Sequence, residues 1–134
     1  MKSSAWLRVG AILGGLAVAA GAFGAHMLEK QLSPRMLQVF ETGVRYQMFH
    51  AIALLVVGML GVIGGESRAL KTAGWAFLVG TLLFSGSLYA LALTEITKLG
   101  AVTPLGGVGF LAGWVALAFH RVGSKSAIGP DRGL

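Results

Sequence analysis

The side chains of this sequence that could do chemistry are a few polar residues set among apolar ones. Tyr46, Gln47 and His50 are related by steps of three and four residues, which predicts adjacent positions on one helical face. Ser85 and Tyr89 repeat the four-residue step later in the chain, and a histidine ends an earlier apolar stretch. These side chains offer hydrogen-bond donors and acceptors to a small ligand. The predicted binding cluster comprises His26, Tyr46, Gln47, His50, Ser85 and Tyr89.

Catalytic and metal-binding signatures are missing from the sequence. It has no H-E-x-x-H, no G-x-S-x-G and no phosphate-binding glycine loop, so we do not expect an enzyme. His26 and Glu29 lie one helical turn apart, but a firm metal site needs three or four ligands, and we predict none. The absence of cysteine excludes disulfides, thiolate metal sites and covalently attached haem.

The elements that must position the polar residues are four uncharged runs: Val9–Leu28, Tyr46–Gly65, Thr72–Thr94 and Leu99–His120. A helix of about 20 residues spans the roughly 30 Å hydrocarbon layer of a bilayer. We therefore predict an all-α membrane protein, with four transmembrane helices in one compact bundle within residues 1–122. The expected spans are about 5–28, 46–65, 72–94 and 103–120, and residues 123–134 are expected to form a short flexible tail. The first span could pass for a signal peptide, but its length favours retention.

A separate amphipathic helix is predicted between the first two spans, at about residues 34–45. Ser33 and Pro34 are a typical helix start, with a capping hydroxyl followed by proline. Apolar residues such as Leu37 and Phe40 then recur on one face, which favours burial at the membrane interface. We expect the chain to turn into the membrane near Gly43.

Charge predicts the orientation of the bundle. With an even number of spans, seven of the 11 Lys and Arg residues lie on the side of the termini and four on the other, which favours cytoplasmic termini. The basic residues lie at helix ends and form no dense patch, so the net charge of +6 indicates anionic lipid headgroups rather than nucleic acid. No intramembrane carboxylate is available for a proton- or sodium-coupled transporter.

Three roles are open for the polar cluster near the outer interface. Gln, His and Ser hydrogen-bond neighbouring membrane helices, and Tyr belongs to interfacial belts, so a structural role is favoured. The second role is the binding of a small ligand such as a lipid or quinone. The third is a haem held by His26 and His50, disfavoured because both histidines are predicted close to the membrane edge.

Glycines at helical spacing predict how the spans pack. The hydrophobic effect contributes little to helix association in lipid. Helices associate instead through close van der Waals packing, which small residues allow. The predicted packing positions are Gly10, Gly14, Gly21, Gly58, Gly61, Gly106, Gly109 and Gly113.

The sequence resembles a known family over most of its length. Residues 21–26 (GAFGAH) and 42–51 (TGVRYQMFHA) are similar to the two strongest motifs of the domain of unknown function 423 family, which includes transmembrane protein 256-like small membrane proteins. Residues 84–89 and 103–107 resemble its later motifs. The resemblance implies a four-helix protein of the bacterial inner membrane with its first span retained. It also implies that His26, Tyr46, Gln47 and His50 belong to the family signature.

Two functions from different classes follow as hypotheses. The first is a non-catalytic accessory or scaffold subunit of a larger membrane complex, or a homo-oligomer, favoured by small size and glycine-rich faces. The alternative is a membrane module that binds a lipid, quinone or haem at the polar cluster. The effect of His50→Ala on ligand and assembly would separate them.

Overall fold

The computed structural model describes residues 1–122, and four long helices make up most of them. We number them α1 (Ser3–Leu28), α2 (Pro34–Gly64), α3 (Arg68–Thr94) and α4 (Thr103–Ala118), the last preceded by a 3-10 turn at Thr97–Ala101. In this described part of the chain, four helical segments are long and apolar enough to cross a membrane. The prediction of an all-α membrane protein is confirmed.

The predicted amphipathic segment is not a separate helix. The Ser33 hydroxyl accepts the Met36 N–H at 3.2 Å, so the helix begins where the sequence indicated, but α2 then continues unbroken to Gly64. The turn expected near Gly43 is absent, because that glycine makes room for a neighbour: a Cβ there would lie 2.8 Å from Tyr89 Cε1. Phe40, predicted to face the interface, is buried in the bundle, 5.0 Å from the Tyr89 ring.

The central pair of the bundle is α2 and α3, flanked by α1 on α2 and α4 on α3. Their shared core contains Trp6, Leu54, Val57, Phe77 and Phe110. At residues 20–24, α1 widens into a π turn. Since consecutive helices run antiparallel, the starts of α1 and α3 lie at one end, which we call the terminal end, with the ends of α2 and α4.

Most of the predicted packing glycines lie at close helix contacts. A Cβ at Gly10 would lie 2.8 Å from the Ala51 carbonyl oxygen, and one at Gly113 would lie 2.5 Å from Phe77 Cε1. Gly14 differs, because its nearest neighbour across the contact, Ala51 Cβ, would be at an ordinary 3.8 Å. The glycine faces of α1 and α4 are therefore occupied by helices of the same chain.

A carboxylate at the terminal end caps α1. Glu66 Oε1 accepts the Ser3 backbone N–H at 3.0 Å, and Lys71 Nζ lies 3.5 Å from Glu66 Oε2. The hydrogen bond from Ser3, helped by the charge of Lys71, holds the pKa of Glu66 below its usual value. A negative charge at a helix N-terminus is also favoured by the helix dipole.

We expect Glu66→Gln to lower the thermal unfolding midpoint at pH 7 in mild detergent. Because the folded-state pKa is lowered, the stabilisation is present above the unfolded value of 4.5 and is lost as the pH falls through the folded value. The difference between wild type and variant should therefore shrink as the pH falls below 4.5. Glu41→Gln, at an exposed position on α2, is the control and should have no such pH dependence. A pH-independent difference for Glu66→Gln would contradict the capping role.

Candidate functional site

His50 lies at the centre of the candidate site and is fixed by two hydrogen bonds. Its Nδ1 is 2.7 Å from the Tyr46 carbonyl oxygen, and its Nε2 is 3.2 Å from the indole Nε1 of Trp114. A carbonyl only accepts and an indole N–H only donates, so Nδ1 carries the proton and Nε2 is the acceptor. The ring is thus a neutral imidazole with both nitrogens engaged.

Aromatic rings surround this histidine. The Phe110 ring stacks on it at 3.4 Å between centroids with 5° between the planes, and the Phe77 ring lies 5.5 Å away. Tyr46 lies parallel to both stacked rings, 6.3 Å from His50 and 6.2 Å from Phe110. With 16 residues of α2 before it and 14 after it, His50 lies near the middle of the helix.

A groove of about 720 Å³ opens on the surface of the bundle between α2 and α4, beside the histidine. Its volume is within the usual range of small-molecule sites. We call it the α2–α4 groove. No charged residue lines it, and its walls are Tyr46, Phe49, His50, Ile52, Phe84, Pro104, Gly107, Val108, Phe110, Leu111 and Trp114.

A second polar group lies on the side of α2 that faces α1 and α3. Gln47 Nε2 donates to the Leu13 carbonyl oxygen at 2.8 Å, and Gln47 Oε1 accepts the Tyr89 hydroxyl at 2.8 Å. Ser85 Oγ donates to the Gly43 carbonyl oxygen at 2.7 Å. We call these residues the Gln47 knot. Their hydrogen bonds join three helices, which is what a structural role requires.

Comparison with known proteins decides the family. The profile of the family described as "Protein of unknown function (DUF423)" matches residues 20–107. The chain belongs to the DUF423 family. The family predicted from the motifs is thereby confirmed.

Bacterial relatives of this DUF423 chain are named as membrane proteins. The "UPF0382 membrane protein YwdK" of Bacillus subtilis is 50% identical over 114 residues, which cover 85% of this chain and 93% of the relative. A UPF0382 membrane protein of Staphylococcus haemolyticus is 47% identical over 81% of this chain and 88% of its own length. A UPF0382 membrane protein of Haemophilus influenzae is 43% identical over 90% of this chain and 96% of its own length. No solved structure matches the chain.

In this DUF423 protein the six predicted binding residues do not form one cluster. Gln47, Ser85 and Tyr89 make the Gln47 knot, whereas Tyr46 and His50 face the α2–α4 groove. Adjacent residues of an α-helix point about 100° apart. Tyr46 therefore lies toward α4, while Gln47 hydrogen-bonds α1 and α3. His26 is apart from both groups. Its side chain is 84% exposed, and its Nδ1 lies 4.0 Å from Glu29 Oε2.

The geometry does not suit a haem held by two histidines. His26 is exposed at the end of α1, and His50 has no free nitrogen, so ligation would break one of its hydrogen bonds. His120, at the terminal end, lies 3.0 Å from the Ser67 hydroxyl through Nδ1. Within residues 1–122, no three His, Asp or Glu side chains come together as metal ligands do.

The sequence interpretation missed nine of the 11 lining residues, among them Phe84, Phe110 and Trp114. Phe110 and Trp114 have the same four-residue step as Tyr46 and His50, so each pair lies on one face of its helix. The Trp114 indole was a further signal, because a buried N–H normally finds an acceptor. What the sequence could not show is that these two faces oppose each other.

Proposed function

We propose that this DUF423 protein is a non-catalytic membrane module that binds a small lipid-soluble ligand in the α2–α4 groove. The observation that carries the proposal is the groove itself, an uncharged aromatic cleft with a locked His50–Trp114 pair at its side. Mostly apolar clefts with a few fixed polar groups are typical of ligand sites. Such a ligand would enter from the bilayer, where the groove opens.

The packing of the glycines also supports a ligand over a partner subunit. Glycine-rich faces favoured an accessory role because they could receive a helix of another protein. Gly10, Gly58 and Gly106 instead contact helices of the same chain. These faces are filled, whereas the α2–α4 groove is open.

Filling the groove is the direct test. Gly107 lines it, and a Cβ there would be 3.9 Å from the nearest atom of Phe84, so Gly107→Leu should place its side chain in the groove without disturbing helix contacts. We expect this variant to fold but to lose at least 90% of any lipid-soluble molecule that co-purifies with wild type, about a tenfold change. Native mass spectrometry of protein extracted in mild detergent, followed by extraction and identification of the small molecule, measures it.

Gly86→Leu is the matched control, because Gly86 is exposed and a Cβ there would meet nothing within 4 Å. The control should retain the ligand. Equal retention by both variants, or wild-type protein that carries no ligand and takes none up, would refute the proposal.

A second candidate is a subunit of a larger membrane complex. It is favoured by a smaller groove of about 380 Å³ between α1 and α3, whose lining includes the small residues Ala20 and Gly86 beside the Gln47 knot. Small residues let a partner helix approach closely. The same native spectra separate the two functions, since a stoichiometric protein partner lost in Gly86→Leu but retained in Gly107→Leu would favour the subunit.

The proposed location is the bacterial inner membrane, with both termini in the cytoplasm. Support for this orientation comes from the excess of Lys and Arg, seven against four, on the side of the termini.

A further inference from the structure

We infer that the ligand of the α2–α4 groove is a quinone, a planar ring with carbonyl oxygens and an apolar tail, and that the Tyr46 hydroxyl donates a hydrogen bond to one carbonyl. This inference rests on the proposed function and specifies its ligand. Three features of the groove lead to it: an uncommitted donor, the lack of any other free polar group, and an aromatic, uncharged lining.

The donor is the Tyr46 hydroxyl. The Tyr46 ring lies against Phe84 at 4.5 Å between centroids and lines the groove, and within residues 1–122 its hydroxyl forms no hydrogen bond. The other tyrosine of the chain, Tyr89, donates to Gln47 at 2.8 Å. Since this hydroxyl has no protein partner to give up, a ligand acceptor at this position would gain a hydrogen bond.

The remaining polar side chains of the groove cannot take a ligand. Nε2 of His50 accepts the Trp114 indole N–H, and the imidazole N–H is directed at the Tyr46 carbonyl. Within residues 1–122, the Tyr46 hydroxyl is therefore the one side-chain group of the lining that is free to hydrogen-bond a ligand. A carbonyl group fits this arrangement, because it can accept the hydroxyl proton.

The lining selects a ring over a charged lipid. Five of the 11 lining residues are Tyr, Phe or Trp, and aromatic side chains bind planar rings by offset or edge-to-face packing that an acyl chain does not reproduce. No Lys or Arg lines the groove to pair with a phosphate or a haem propionate. The groove opens on the surface of the bundle, so an apolar tail could continue out of it into surrounding lipid.

The test is a titration of the full chain in lipid nanodiscs with two small-molecule probes. Binding is monitored by the NMR signals of the 15N-labelled tryptophan indoles. Trp114 reports on the groove, while Trp6 and Trp75, which lie outside it, serve as internal references. The two probes are decylubiquinone and decylbenzene, which have the same tail, but only the first has carbonyls. We expect wild type to bind decylubiquinone with a selective shift of the Trp114 signal.

We expect Tyr46→Phe to weaken decylubiquinone binding about five- to tenfold and to leave decylbenzene binding unchanged, because it removes only the hydroxyl. Tyr89→Phe, which removes the hydroxyl outside the groove, should change neither affinity. If Tyr46→Phe leaves decylubiquinone binding unchanged, or both probes bind wild type equally, the quinone inference is wrong while the proposed function stands. If neither probe shifts Trp114 and Gly107→Leu retains as much co-purified ligand as wild type, both are wrong.

Discussion

Gly106→Ala should destabilise the bundle by about 3 kcal/mol or prevent its folding. A Cβ at this position would overlap the backbone nitrogen of Phe84, and would lie 2.7 Å from Phe84 Cβ and 2.8 Å from the Gly80 carbonyl oxygen. Two of these three neighbours are backbone atoms of α3, so relief requires α4 to move away from α3. The free energy of unfolding in mixed micelles, or the folded yield, measures the effect.

Gly107→Ala is the control for this prediction. The substitution is chemically identical and one residue away, but its Cβ would meet Phe84 only at 3.9 Å. We expect a change within about 1 kcal/mol, since helix propensity favours alanine and no contact is strained. If the two variants were equally stable, close packing of α4 on α3 would not depend on Gly106.

The second large effect is expected at His50. Substitution by Ala removes a ring that is stacked on Phe110 at 3.4 Å and only 4% exposed, and it leaves the Trp114 indole without its acceptor. We expect a loss of about 2–4 kcal/mol in the free energy of unfolding, comparable to other large-to-small changes in a packed core. The variant should also lose the ligand proposed for the α2–α4 groove, because the His50 ring forms part of the groove wall.

His50→Phe separates packing from hydrogen bonding. This substitution keeps a ring that can stack on Phe110. The free energy of unfolding should therefore fall by only about 1–2 kcal/mol, the cost of an unpaired indole N–H. Trp114→Phe in the same background removes the unpaired donor and should recover part of that loss, which a double-mutant cycle measures. Additive effects of the two substitutions would show that the Trp114–His50 hydrogen bond contributes nothing.

How far the sequence predicts this protein can be seen at α2. Its start at Ser33 and Pro34 was predicted because capping is local: the Ser33 hydroxyl reaches the N–H three residues later. Its continuity was not predicted, because Gly43 reads as a turn unless the approach of Tyr89 is known. On the predicted apolar face of residues 34–45, Phe40 packs against Gly24 of α1 and Tyr89 of α3.

For the candidate site, the sequence correctly indicated polar residues on α2 but wrongly predicted that they form a single cluster. Tyr46, Gln47 and His50 were recognised as polar residues in an apolar span, and all three make interhelical contacts. Their division between the Gln47 knot and the α2–α4 groove was missed. It depends on which helix covers each face of α2, and the partners of these residues are up to 64 positions away in the chain.

The sequence by itself determined the four membrane-crossing helices. Each must satisfy its own backbone hydrogen bonds within lipid, so the length and apolarity of a segment are enough to specify it. Only the tertiary structure decided that α2 is one helix, that His50 is locked by Trp114, and that an aromatic groove opens between α2 and α4. These features depend on how helices pack against one another, and close packing in lipid is set by the shapes of opposing faces that no single segment contains.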